Sequence, residues 1–110
     1  MKKSVNHKGK ILIPSELVDY SRGAIVSKTL VDRKAGTLTL FAFDRGQGLS
    51  EHVAPYDAVV QILDGEALVT IAGKELKAKS GDLVIMPANV PHALKAGRKF
   101  KMLLIMIRGK

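Results

Sequence analysis

The sequence has no cysteine and no tryptophan among its 110 residues. The missing cysteine excludes disulfides, thiolate metal ligands, iron–sulfur clusters and a cysteine nucleophile, and it fits a reducing compartment. Aromatic residues make up only 5% of the chain, which leaves few platforms on which nucleic-acid bases could stack. Long apolar runs are absent too. After the basic start Met1–Lys10, the run Ile11-Leu12-Ile13 stops at Pro14. That is well short of the roughly 7–15 apolar residues of an export signal, or of the roughly 18 of a membrane span. The expectation is a cytoplasmic protein with no membrane partner. Acidic residues are scarce, 10 against 18 Lys and Arg, for a net charge of +8. The basic ones gather at the ends, as Lys2, Lys3, Lys8 and Lys10, then Lys95, Arg98, Lys99, Lys101, Arg108 and Lys110. An anionic partner is one reading and a solvated surface the other. With no tryptophan and no basic stripe at helical spacing, the solvated surface is preferred and no nucleic-acid partner is expected.

What is present reads as one all-β domain, residues 1–110. A chain of this length buries about two-thirds of its unfolded surface, enough for one core. Pro14–Asp19 predicts a short helical turn, with Ser15 as N-cap and Glu16 in its first turn. After Gly23, short apolar or alternating runs are separated by glycine-bearing breaks. Strands are predicted at 25–31, 37–43, 56–63, 66–71, 75–79, 83–86, 92–95 and 100–107. Asp64-Gly65 is read as a two-residue hairpin turn, because such turns want positive φ. Turns every 8–12 residues with no sustained helical periodicity predict an antiparallel sandwich or barrel. In the last strand, Met102–Ile107 is apolar on both faces, whereas a strand with one wet face should alternate. Its outer face must be covered, by a second subunit in a homodimer, the favoured reading, or by the N-terminal segment.

Two glycine-to-histidine stretches carry the chemistry. The first is Gly46, five residues, His52, Val53, Ala54, three residues, Ala58, six residues, Gly65. The second, fifteen residues later, is Gly81, five residues, Pro87, Ala88, Asn89, two residues, His92, three residues, Ala96. Between them the pair resembles the two motifs of the cupin superfamily, over a core of about residues 37–107. The resemblance implies an RmlC-like jelly-roll β-barrel. It also implies one divalent transition metal (zinc, iron, manganese or nickel) inside the barrel, held by three histidines and a glutamate. Alternation supports such a grip, because residues i and i+2 of a strand share a face.

This chain departs from that pattern at two ligands. Ala54 stands where the second histidine belongs and Ala58 where the glutamate belongs. His52 and His92 are left as the candidate metal ligands, fewer than the three of catalytic zinc or the two histidines and carboxylate of an iron site. Alternation turns Glu51, Asp57 and Gln61 away from the histidines, unless a bulge at Pro55 changes the parity. The space freed by Ala54 and Ala58 is either filled by Tyr56, Phe41 or Phe43 or left as a pocket, lined also by Met86, Met102 and Met106. Three readings of the histidines stay open: an occupied metal site, a ligand-binding pocket, or satisfied interior residues. The leading expectation is a protein that binds a small molecule around His52 and His92. The alternatives are a metal-dependent enzyme of isomerase, decarboxylase or dioxygenase type, and a structural module that dimerises through strand 100–107.

Overall fold

The computed structural model describes residues 7–109. The basic residues Lys2, Lys3 and Lys110 lie outside the described residues. Pro14–Glu16 forms a 3-10 turn, and eight strands follow: β1 (Ile25–Arg33), β2 (Gly36–Phe43), β3 (Gly48–His52), β4 (Asp57–Ile71), β5 (Lys74–Lys79), β6 (Leu83–Met86), β7 (His92–Lys95) and β8 (Phe100–Ile107). All pairing is antiparallel, and the sheet curls on itself as a jelly roll.

The fold turns on β4. Its first half pairs with β8 on one side and β6 on the other; its second half pairs with β5 and β7. One continuous strand therefore passes from one wall of the barrel to the other. This corrects the hairpin expected at Asp64-Gly65. Gly65 does take a positive φ, of 75°, but it uses it to bend the strand past a register shift after Ile62, not to reverse it. A side chain there would collide with the carbonyl oxygen of Lys99, so the bend needs glycine for space as well as for φ. Two-residue hairpin turns occur instead at Lys34-Ala35 and at Ala72-Gly73, the latter with both residues at positive φ. A second difference concerns β3, which lies between the predicted strands 37–43 and 56–63, where no strand was expected. It is a short edge strand, largely exposed, with no alternation in its sequence to betray it.

Alternation along the inner faces builds one core. Phe43, Val60, Ile62, Val69, Phe100 and Met102 are fully buried. The rings of Phe43 and Phe100 stack at 4.5 Å, and Phe41 lies against Phe43 at 5.7 Å. Phenylalanine on β2 thus fills one end of the barrel rather than the space beside the two alanines.

Outside, the N-terminal segment covers part of the doubly apolar β8. Leu17, Val18 and Tyr20 pack with Leu40, Ala42 and Leu103, and the Lys101 ammonium donates to the Ser15 carbonyl at 2.6 Å. Ser15 therefore serves through its backbone. Ile13 holds the N-cap position, and no side chain caps the turn. The remainder of this face stays open in the single chain: Leu83, Ile85 and Ile107 are each more than half exposed. Val31, Leu38, Ile105, Val59 and Ile85 are register partners in turn, an apolar row crossing five strands.

Candidate functional site

His52 ends β3, His92 begins β7, and the two are direct cross-strand partners. Side chains in that relation stand about 4.5–5.5 Å apart at Cβ, so the rings are bound to meet. They do, edge to face, with Nε2 to Nε2 at 3.1 Å. Each ring is held from behind by a carbonyl two residues earlier: His52 Nδ1 lies 2.9 Å from Ser50 O, and His92 Nδ1 lies 3.1 Å from Val90 O. His92 is buried, whereas His52 is exposed at the mouth.

The hydrogen count of this pair is informative. A carbonyl can only accept, so each Nδ1 must carry its proton and donate. Two neutral imidazoles arranged so would point two bare Nε2 lone pairs at each other. A contact of 3.1 Å is favourable only with a cation between them, either one shared proton or a metal ion.

The pair opens on a cavity of about 310 Å³ lined by Leu49, His52, Val53, Ala54, Pro55, Tyr56, Ala58, Met86, His92, Leu94, Leu104 and Met106. Ala54 and Ala58 both face it, so the space comes directly from the two short side chains. Its lining is mostly apolar, with the imidazoles as polar groups on one wall. The loop opposite is braced. Asn89, at φ 63°, stands where the resembled motif has glycine, and its N–H donates to Ala54 O at 2.7 Å. Asparagine tolerates that left-handed conformation better than other residues with a side chain.

Met102 was expected at the cavity and is not there. Its parity is right, since Phe100, Met102 and Leu104 all face inward, but its depth is wrong. At about 3.3 Å per residue it sits some 7 Å below Leu104, among fully buried side chains, and Leu104 and Met106 line the cavity in its place. Leu49, Val53, Pro55 and Leu94 line the cavity without having been singled out from the sequence. Leu94 shares the parity of His92 on a strand that was expected, so its signal was present; Leu49 lies on β3, which carried none.

Further metal ligands are lacking. Among the described residues no group of three or more His, Asp, Glu or Cys could hold a metal ion. Asp57 accepts from the Ala88 N–H at 2.9 Å, and Gln61 turns toward the Gly81 carbonyl. The spacing of the two imidazoles does suit one ion. Two nitrogens about 2.0–2.1 Å from a metal lie roughly 2.9 Å apart at a right angle and 3.4 Å apart at the tetrahedral angle. The donor set falls short of the three or four protein ligands such ions require.

The family model for the cupin domain matches residues 39–108. The chain belongs to the cupin family. A solved structure of similar size is the conserved protein of unknown function SPY1581 from Streptococcus pyogenes. It is 35% identical, with 100% of this chain and 97% of that one covered and a TM-score of 0.90. A cupin 2 conserved barrel domain protein from Leptotrichia buccalis is 44% identical over 84% of this chain but only 45% of its own, with a TM-score of 0.82. A cupin superfamily protein from Desulfitobacterium hafniense is 26% identical, covering 96% and 98%, with a TM-score of 0.87. No curated protein matches the sequence. The cupin barrel implied by the two motifs is thus the fold, with the short turn near the N-terminus present as a 3-10 turn.

Proposed function

We propose that this cupin binds a small molecule with an apolar body and an anionic head in the cavity beside His52 and His92. One observation carries the reading: two imidazoles fixed from behind, Nε2 to Nε2 at 3.1 Å, at the wall of an otherwise apolar cavity of about 310 Å³. A proton shared between the two Nε2 atoms would give the pair a positive charge to set against a carboxylate at the mouth of the cavity. The cavity volume lies at the small end of the range for ligand pockets, about 300–1,000 Å³. A short-chain or single-ring acid fits that volume and that polarity.

The test is thermal unfolding with benzoate and hexanoate as probes. A ligand that binds only the native state stabilises it by about 2.7 kcal/mol at a hundred times its Kd. The parent melts higher with a probe, and His92→Ala and Ala58→Leu, which remove the head's partner and fill the space, lose the shift. A parent that melts unchanged with both probes contradicts the reading.

A second reading is favoured by the same 3.1 Å. His52 and His92 hold a divalent transition metal whose remaining ligands come from the bound molecule. The metal would then act as a Lewis acid on that molecule. Elemental analysis of the untagged protein separates the two: near one metal per chain, lost in His92→Ala, favours the enzyme. The uncovered apolar row from Val31 to Ile85 supports a homodimer in either case, with a second copy of the chain as its cover.

A further inference from the structure

The end of the barrel away from the histidines holds a second cavity, larger and lined mainly by charged residues, whose aliphatic stems supply much of its surface. About 660 Å³ is lined by Arg45, Asp64, Gly65, Glu66, Lys79, Ser80, Arg98 and Lys99. Four of these are cations and two are carboxylates. Ala58 at one site and Gly65 at the other lie seven residues apart on β4, roughly 20 Å of strand, with the stacked Phe43 and Phe100 and the buried Ile62 in the core around them.

Both carboxylates already have partners. The Tyr20 hydroxyl donates to Asp64 at 2.5 Å, and the Lys77 ammonium lies 3.7 Å from Glu66. Outside the groove, nearby Asp44 accepts from the Gly23 N–H at 2.6 Å; its carboxyl is held below its ordinary range by backbone N–H groups first, then by Lys99 and Arg22. The Lys99 ammonium lies 4.7 Å from the centre of the Tyr20 ring. Arg45, Arg98 and Lys79 take part in no ion pair among the described residues.

The two arginines stand on loops fastened to each other. Gly46 N–H donates to Ala96 O at 2.7 Å, and Ala96 N–H donates back to Gln47 O at 2.8 Å. The loops carrying Arg45 and Arg98 are therefore fixed relative to one another before any ligand arrives. Guanidinium groups offer planar forks of donors that match the oxygens of phosphate or carboxylate. A groove with two such forks, a free lysine and its carboxylates already engaged has cations in excess of its own counter-charges.

We infer that this groove is a second ligand site, for a compact small molecule bearing two or more phosphate or carboxylate groups, with Arg45, Arg98 and Lys79 as its primary contacts. It is independent of the histidine cavity, so either site can fail without the other.

The test is calorimetric titration of the full chain with inorganic pyrophosphate and, separately, with citrate, at a fixed ionic strength of about 0.15 M so that general screening is constant. The expected result is saturable binding of at least one probe with Kd near or below about 1 mM. That affinity falls at least tenfold in Arg45→Gln/Arg98→Gln, whose substituted side chains are exposed, and stays unchanged in His92→Ala. Stronger binding of pyrophosphate assigns phosphate as the preferred group, and stronger binding of citrate assigns carboxylate. Failure of both probes to saturate, or equal binding by parent and double variant, overturns the inference. So does an oligonucleotide that binds more tightly than either probe with the same dependence on the two arginines, since the groove would then serve a polymer.

Discussion

The two ends of this barrel are built from the same strands and differ in almost every physical respect. Around His52 and His92 the lining is apolar and the polar groups are few, preordered and in part buried. Around Arg45 and Arg98 the lining is charged and open to solvent. The same β4 strand supplies Ala58 to one and Gly65 and Glu66 to the other, and β8 begins just past Lys99 and ends beyond Met106. The difference follows from where each strand emerges from the core. Inward parity in the middle of β8 yields Met102, packed on all sides, and the same parity four residues on yields Met106, at an empty space. Two alanines keep the histidine end hollow, while a pair of mutually bonded loops keeps cations at the other end. The lesson is that the two ends of one barrel can differ in lining, with the stacked Phe43 and Phe100 packed in the core between them.

The strongest way to change this contrast is to restore the polar ligands. Ala54→His with Ala58→Glu places a third imidazole and a carboxylate at the histidine cavity, and the double variant is expected to take up zinc near one per chain, measured by elemental analysis. The gain in metal affinity should be on the order of several kcal/mol, given that complete protein sites reach about 10–16 kcal/mol. Next in size is removal of the wall. Phe100→Ala deletes a fully buried ring stacked on Phe43 and should cost about 3–5 kcal/mol in urea unfolding.

Third, Ile85→Lys adds a charge to the uncovered apolar row and tests the proposed homodimer: light scattering should give twice the chain mass for the parent and one chain mass for the variant. The smallest effect belongs to Tyr20, whose hydroxyl is raised above its ordinary range by burial first and by its bond to Asp64 second. Because the protonated hydroxyl is the bonded form, its contribution is full below about pH 10 and is lost as pH rises through the folded value. Tyr20→Phe should cost about 1 kcal/mol or less at pH 7, since Asp64 is exposed and Tyr20 only half-buried, and the gap to the parent should narrow in unfolding curves above pH 10.

Much of the architecture could be read from the chain because punctuation was dense. Gly81 and Pro87 bracket β6, Pro91 precedes β7, and Gly97 precedes β8, so those three strands lie where expected. The histidine pair and the hollow left by Ala54 and Ala58 were legible through the resemblance to the two cupin motifs, which says which positions converge in the barrel. Three features were not. Asp64-Gly65 has the local chemistry of a reversal, and only pairing with β8 and β5, far away in sequence, turns it into a bend. Gly48–His52 carries no alternation because most of its side chains are exposed, so its strand character comes from β7. Met102 shows that parity gives a side chain's face but not its depth, which depends on where neighbouring strands stop. The basic groove was hidden for a related reason. Its arginines are 53 positions apart, and only the reciprocal backbone bonds between their loops join them.

The most direct measurement of the central claim is nitrogen-15 NMR of the two imidazoles during titration with benzoate. If the His52–His92 pair is the polar anchor of a ligand cavity, both Nε2 signals move together and saturate, and Ala58→Leu abolishes the movement while the protein stays folded. Nε2 signals that do not respond to benzoate, in a protein carrying one tightly held metal per chain, would contradict the account and put the metal-dependent reading in its place.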